Sequence, residues 1–185
     1  MRHSRGFTLV EVLVTAVISA VIISVAIPSY SALIKTLEAQ NVAYSLQELV
    51  HFGRNYALRS HRALTICGST DTFHCDGNWS RGALVMEDGN RNGVVDSNDR
   101  ILQFVTFNLK QATLTWNGFS GSRVVIESFG TTFASNGTFT YCRQDSDPLY
   151  RRQVVINRGG RARLSRDING DGIHENSQGT PIVCP

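Results

Sequence analysis

Hydrophobic and polar positions follow three different rules along this chain of 185 residues. Residues 7–27 are apolar almost without interruption, and Glu11 is the single charged side chain in those 21 positions. A helix of that length covers roughly 30 Å, the thickness of a bilayer's hydrocarbon core. Beyond Pro28 the pattern thins to a stripe. Leu33, Leu37, Ala43, Leu46, Leu49, Val50, Tyr56 and Ala57 recur at helical spacing, with Lys35, Glu38, Gln47, Glu48 and Arg54 between them. This predicts an amphipathic helix running to about Ser60, with Pro28 marking a kink or loosening at the membrane exit. From residue 63 onward the period is two.

The period-two part predicts strands over 63–67, 83–87, 101–107, 113–116, 123–129, 138–143, 153–157 and 161–166. They are rich in Val, Ile, Phe and Thr and are separated by Gly, Asn and Asp clusters. A long helix followed by antiparallel strands argues an α+β fold, with the sheet covering the apolar stripe of the helix. About 150 residues remain beyond the membrane segment, enough for one small domain. The chain therefore divides into a leader, 1–6; a transmembrane helix, 7–28; the amphipathic half of the same helix, 29–62; and an exported β-rich domain, 63–185.

The start of the chain is not an ordinary secretory signal, which places its cleavage site after the apolar core. Here the small residue, Gly6, comes before it, and cutting between Gly6 and Phe7 leaves the helix on the mature protein. A carboxylate in lipid costs at least a few kcal/mol, so Glu11 marks a function and needs a partner. Gly6, the run FTLVEVL and Pro28 together resemble the class III leader of type IV pilins and type II secretion pseudopilins. The resemblance implies the type IV pilin fold, cleavage after Gly6 by a prepilin peptidase, and N-methylation of Phe7. It implies assembly with other pilins or pseudopilins through the N-terminal helix. It also supplies the partner of Glu11, the α-amino group of Phe7 on a neighbouring subunit, which makes Glu11 an assembly residue. The implied location is the bacterial inner membrane, single-pass with the globular domain in the periplasm, and then a pilus or pseudopilus filament.

Composition narrows the rest. The 18 basic residues exceed the 15 acidic ones by three, and two of the basic ones, Arg2 and Arg5, leave with the leader. Any basic site must therefore be local. Only Lys35 and Lys110 are lysines, and arginine suits bidentate phosphate contacts better than lysine does. Arg151, Arg152, Arg158, Arg161, Arg163 and Arg166 fall within 16 residues, and residues 150–166 contain no acid. On a strand Arg161 and Arg163 share a face, just after the bend at Gly159 and Gly160, so both can meet the phosphate backbone of DNA. No aromatic residue alternates with them, which leaves base stacking unsupported and favours phosphate contacts independent of sequence.

Further residues resemble the FimT/FimU minor pilins and the GspH-type minor pseudopilins. They are Gly77-Asn78-Trp79-Ser80-Arg81-Gly82, then Asp88 to Gly93 and Asp96, Ser128-Phe129-Gly130 to Asn136-Gly137, Gly160-Arg161-Ala162-Arg163, and Cys184-Pro185. Gly160 to Arg163 matches the GRxR segment of FimT proteins that bind DNA during natural transformation. The resemblance carries that role to Arg161 and Arg163. Arg151, Arg152, Arg158 and Arg166 are secondary candidates on charge alone. The expected function is thus a FimT-like minor pilin that helps prime or cap a type IV pilus and binds DNA during uptake. The alternative is a GspH-type minor pseudopilin of a type II secretion system, a structural tip component without DNA binding.

Four cysteines all lie in the exported part, where they are expected to pair. Three connectivities are open. The favoured one joins Cys67 to Cys75 across a short loop and Cys142 to Cys184, stapling the chain's end to the sheet. No CxxC pair or spaced histidine supports zinc. Asp88, Asn90, Asn92, Asp96 and Asp99 have the spacing of a calcium loop, with Gly93 at its sixth position, but Asp99 replaces the usual closing glutamate. A polar β-hairpin accounts for the same residues. Asp167, Asn169, Asp171 and Gly172 repeat the opening of that pattern, which then fails at His174 and Gln178. His51, His61, His74 and His174 accompany no nucleophile elbow, P-loop or HExxH, so no enzymatic activity is expected. No cofactor is expected beyond that one calcium loop.

Overall fold

The computed structural model describes residues 6–119 and 121–185. It holds two compact units, 1–38 and 39–185. One continuous helix, α1 (Leu9–Ser60), contributes to both.

In the first unit every described side chain up to Ile34 is exposed, including the long apolar run. Nothing within the unit covers that surface. The few polar groups on the run are satisfied locally, as a hydrocarbon solvent requires. Thr15, Ser19, Ser24 and Ser29 each donate their hydroxyl to a carbonyl three or four residues back, at 2.7–3.1 Å. The helix is assigned straight through Pro28, whose missing N–H leaves the Ser24 carbonyl without its helical donor.

In the second unit Ala39, Val42, Ala43, Leu46, Leu49, Val50, Gly53 and Ala57 form a buried stripe at helical spacing. At Gly53 a Cβ would come within 2.9 Å of Ile126 Cδ1, so glycine lets the helix settle onto the strands. The strands are β1 (Leu64–Gly68), β2 (Gly82–Glu87), β3 (Arg100–Thr106), β4 (Ala112–Gly118), β5 (Arg123–Ile126), β6 (Gly137–Arg143), β7 (Arg152–Ile156) and β8 (Ala162–Leu164). The expected single sheet is two. Strands pair antiparallel in the orders β3-β2-β1-β5 and β4-β6-β7-β8. One core joins both sheets to the helix: Leu64, Ile66, Val85, Val124 and Ile126 from the first sheet, Leu114, Phe139, Tyr141, Val154 and Ile156 from the second.

Strand β5 stops at Ile126 rather than near Phe129. Gly130 N–H turns back to the Glu127 carbonyl at 2.7 Å, closing a turn that leaves Phe129 exposed. Strand β8 is shorter than expected because the chain leaves β7 after Ser165, whose N–H still reaches the Gln153 carbonyl at 2.8 Å. Cys67 is bonded to Cys75, and Cys142 on β6 to Cys184; none of the four is free.

Candidate functional site

Three groups of residues singled out by the sequence occupy three different places. At the chain's start, Met1–Arg5 of the leader lie outside the described residues, and Gly6 and Phe7 precede the helix. Glu11 sits in the first turn, where Thr8 N–H and Thr8 Oγ1 donate to Glu11 Oε2 at 3.0 and 3.1 Å. Glu11 N–H returns a bond to Thr8 Oγ1 at 3.3 Å. This is a reciprocal cap, serine or threonine with glutamate three residues on, that satisfies helix N–H groups otherwise orphaned. Glu11 therefore has a partner within its own chain. The T-x-x-E signal was present in the sequence, masked by the membrane reading.

The arginines divide. Arg161 and Arg163 are exposed on one side of the β7–β8 hairpin, with Ala162 buried between them. The hairpin turn is set by Asn157, whose carbonyl accepts from Gly160 N–H and whose Oδ1 accepts from Arg161 N–H. Arg158 and Arg166 are exposed too, and no ion pair holds any of these four among the described residues. Helix residue Arg54 reaches the same turn, its Nε donating to the Gly159 carbonyl at 3.3 Å. Arg151 and Arg152 correct the expectation that they extend this surface. Arg151 clips two carbonyls, those of Ile182 at 2.9 Å and Ser146 at 2.6 Å. Arg152 is only 6% exposed and donates to the Leu149 and Arg151 carbonyls.

The structure also brings a loop that carries two phenylalanines against the arginine turn. Thr132 donates its N–H to the Arg158 carbonyl and its hydroxyl to the Asn157 carbonyl. A Cβ at Gly160 would collide with the Gly130 carbonyl, so loop and turn touch. Phe129 and Phe133 stand out from that loop, 62% and 73% exposed. Sequence reasoning missed them because Phe129 and Phe133 lie 29 and 25 positions before Arg158.

The acidic loops are held together from within. Asp88 is fully buried, and its carboxylate is spent on Thr65 Oγ1, Asn92 N–H and Gly93 N–H. Asp96 accepts from Asn98 N–H and Asn90, and Asp99 from Asp96 N–H. In the second loop Asp167, Asp171 and Glu175 bring carboxylate oxygens within 4.8 Å of one another. The loop over 88–99 is an irregular β2–β3 connection organised by a buried aspartate.

In sequence, the profile described as type II transport protein GspH matches residues 42–160. A second profile, the prokaryotic N-terminal methylation motif, matches residues 1–27. No curated protein matches the chain. Among solved structures, the type IV minor pilin FimU of Pseudomonas aeruginosa is similar at a TM-score of 0.53 and 21% identity, over 70% of this chain and 89% of that one. A second crystal form of FimU gives 0.51 and 21%, over 69% and 92%. The minor pseudopilin EpsH of Vibrio cholerae gives 0.49 and 17%, over 69% and 95%. At such identities the likeness to FimU shows the fold, here the type IV pilin fold. The methylation motif ahead of an apolar helix implies prepilin peptidase processing and assembly with other pilins, in the inner membrane first and then in a pilus or pseudopilus. With well over half of it covered by the GspH profile, the chain belongs to the GspH family of minor pilins and pseudopilins, which are structural rather than catalytic.

Proposed function

We propose that this protein is a minor pilin of a type IV pilus that helps to prime or cap the filament and contacts DNA through Arg161 and Arg163. The observation that carries the reading is the exposed hairpin turn whose four arginines, Arg158, Arg161, Arg163 and Arg166, meet no acid within residues 150–166. Guanidinium groups side by side on a strand face suit successive phosphates, which fix position and carry no sequence information. In this reading the chain is cut between Gly6 and Phe7, Phe7 is N-methylated, and Glu11 meets the Phe7 amino group of a neighbour in the filament.

The test is DNA binding by the full chain in detergent micelles at several salt concentrations. Changing Arg161 and Arg163 together to Ala should weaken binding to all sequences alike and lower the salt slope by about two. Binding and slope equal to wild type, with unfolding unchanged, would reject the DNA role. The second reading is then the structural one, a minor pseudopilin of a type II secretion system, which the description of the matching family profile favours. Gene neighbourhood separates the two: pilus assembly and competence genes, or a secretion operon.

A further inference from the structure

A groove of about 920 Å³ runs along β8, where Ala162, Arg163, Leu164 and Arg166 line it but Arg161 does not. Its walls are the helix residues Gln40, Tyr44 and Gln47 and the loop over 165–179. Two features of its floor are incomplete.

The first is main-chain. Asn157 N–H bonds the Arg161 carbonyl and Ser165 N–H the Gln153 carbonyl, so alternate residues of β8 turn their backbone groups to β7. Ala162, Leu164 and Arg166 therefore turn theirs outward. The Ala162 carbonyl is taken by Gln47 Nε2 at 3.2 Å, and the Arg166 carbonyl by Glu175 N–H at 2.9 Å. Leu164, between them, has no backbone partner on this edge among the described residues. An unpaired edge is a template for another strand.

The second is a charge. Arg152 lines the groove at 6% exposure. Its Nη1 reaches two carbonyls, its Nε is buried without a partner, and no carboxylate pairs with it among the described residues. Buried charges are costly unless paired. The acids in the wall are committed elsewhere: Asp167 accepts from Gly170 and Gly172 N–H, and Glu175 from Ile168 N–H. The missing complement is a carboxylate.

We infer that this groove takes an extended segment of a partner protein, added as a strand beside Leu164, with a glutamate or aspartate side chain against Arg152. Main-chain pairing supplies affinity and the acidic side chain supplies specificity, as in other strand-addition sites. The inference stands whether or not the hairpin binds DNA.

The probe is a capped seven-residue peptide of alternating serine and valine with one central glutamate, compared with its glutamine counterpart. Both are titrated into isotope-labelled full chain in detergent micelles, followed by amide shifts. The glutamate peptide should bind at least tenfold tighter, and the Leu164 amide should shift. Arg152→Gln should abolish the preference for glutamate. Should Arg152→Gln fail to fold, Leu164→Pro serves. It removes an N–H that β7 does not use, a position where an edge strand tolerates proline, and should weaken both peptides at least tenfold. Equal binding of the two peptides would overturn the inference. So would no binding at millimolar peptide, or unchanged binding to Leu164→Pro.

Discussion

Thr65 on β1 donates its hydroxyl to Asp88 Oδ2 at 2.7 Å, and neither residue has any exposed surface. The same carboxylate takes Asn92 N–H at 3.1 Å and Gly93 N–H at 2.9 Å. One buried aspartate thus ties the central strand of the first sheet to the β2–β3 connection. Asp88→Ala should cost about 3 kcal/mol, because it strands a buried hydroxyl and two loop N–H groups at once. Thr65→Val removes one of the three donors and should cost about 1–2 kcal/mol. Urea unfolding of the full chain in micelles measures both, and equal costs would contradict this hierarchy.

Glu11 serves a cap within its own chain and, in the proposed reading, a neighbour's amino group in the filament. The two roles separate by substitution. Glu11→Gln can still cap, since glutamine works in the same box, but it loses the charge. It should remain helical and membrane-inserted yet be recovered poorly in sheared filaments. Thr8→Ala weakens only the cap and should assemble. Equal recovery of Glu11→Gln and wild type would assign Glu11 to capping alone.

Arg151 offers the counterpart to the DNA test. Its guanidinium bonds the Ile182 and Ser146 carbonyls. Arg151→Ala should lower stability by about 2–3 kcal/mol while leaving the salt slope of DNA binding unchanged. A drop in slope without loss of stability would return Arg151 to the nucleic-acid surface.

The two disulfides close loops of different length, with sequence separations of 8 for Cys67–Cys75 and 42 for Cys142–Cys184. The chain-entropy relation gives about 2.5 kcal/mol for the first and about 4 kcal/mol for the second. Cys184→Ser with Cys142→Ser should therefore lower the melting temperature more than the Cys67 and Cys75 pair of changes. Calorimetry would show the order.

Acid should destabilise the domain in two windows. Burial holds His174 below the usual imidazole value, and the Arg152 charge adds to this against the opposing Asp167 and Glu175. The unfolded chain then binds the proton more readily than the folded one. Stability should fall as pH drops below about 6.5 and level off once the folded imidazole also titrates. Asp167 is held below the usual carboxylate value chiefly by the Gly172 N–H, with the Gly170 N–H helping. Its contribution is present above about pH 4 and is lost as pH falls through its lowered value. His174→Gln should erase only the upper window in melting curves taken from pH 3 to 8.

Much of this fold could be read in advance, because period and burial are local. Eight stretches of alternation became eight strands, and the helix ends at Ser60 as its stripe does. The division into two sheets was not readable, since alternation says which side of a strand is inward and nothing about which strands adjoin. The arginines show a sharper limit. Arg152 has the parity of Val154 and Ile156, both buried, so the pattern already placed it on the core side. Counting charge overrode that signal. Nothing in the sequence put Phe129 and Phe133 near the arginines, as only tertiary contact brings their loop to the Arg158 turn. Asp88 was read by its spacing to other oxygens, whereas its role comes from Thr65, 23 positions away.

Both tryptophans of the chain meet a single ring. Phe139 of the second sheet has Trp79, which leads into β2 of the first, at 4.6 Å and Trp116 of β4 at 4.5 Å between ring centroids. Trp79 anchors its indole N–H on the Ser122 carbonyl, while the Trp116 N–H is buried without a partner. The tryptophan fluorescence of this protein is consequently a local instrument. It reports whether the two sheets are closed on each other, and is silent about the state of the membrane helix.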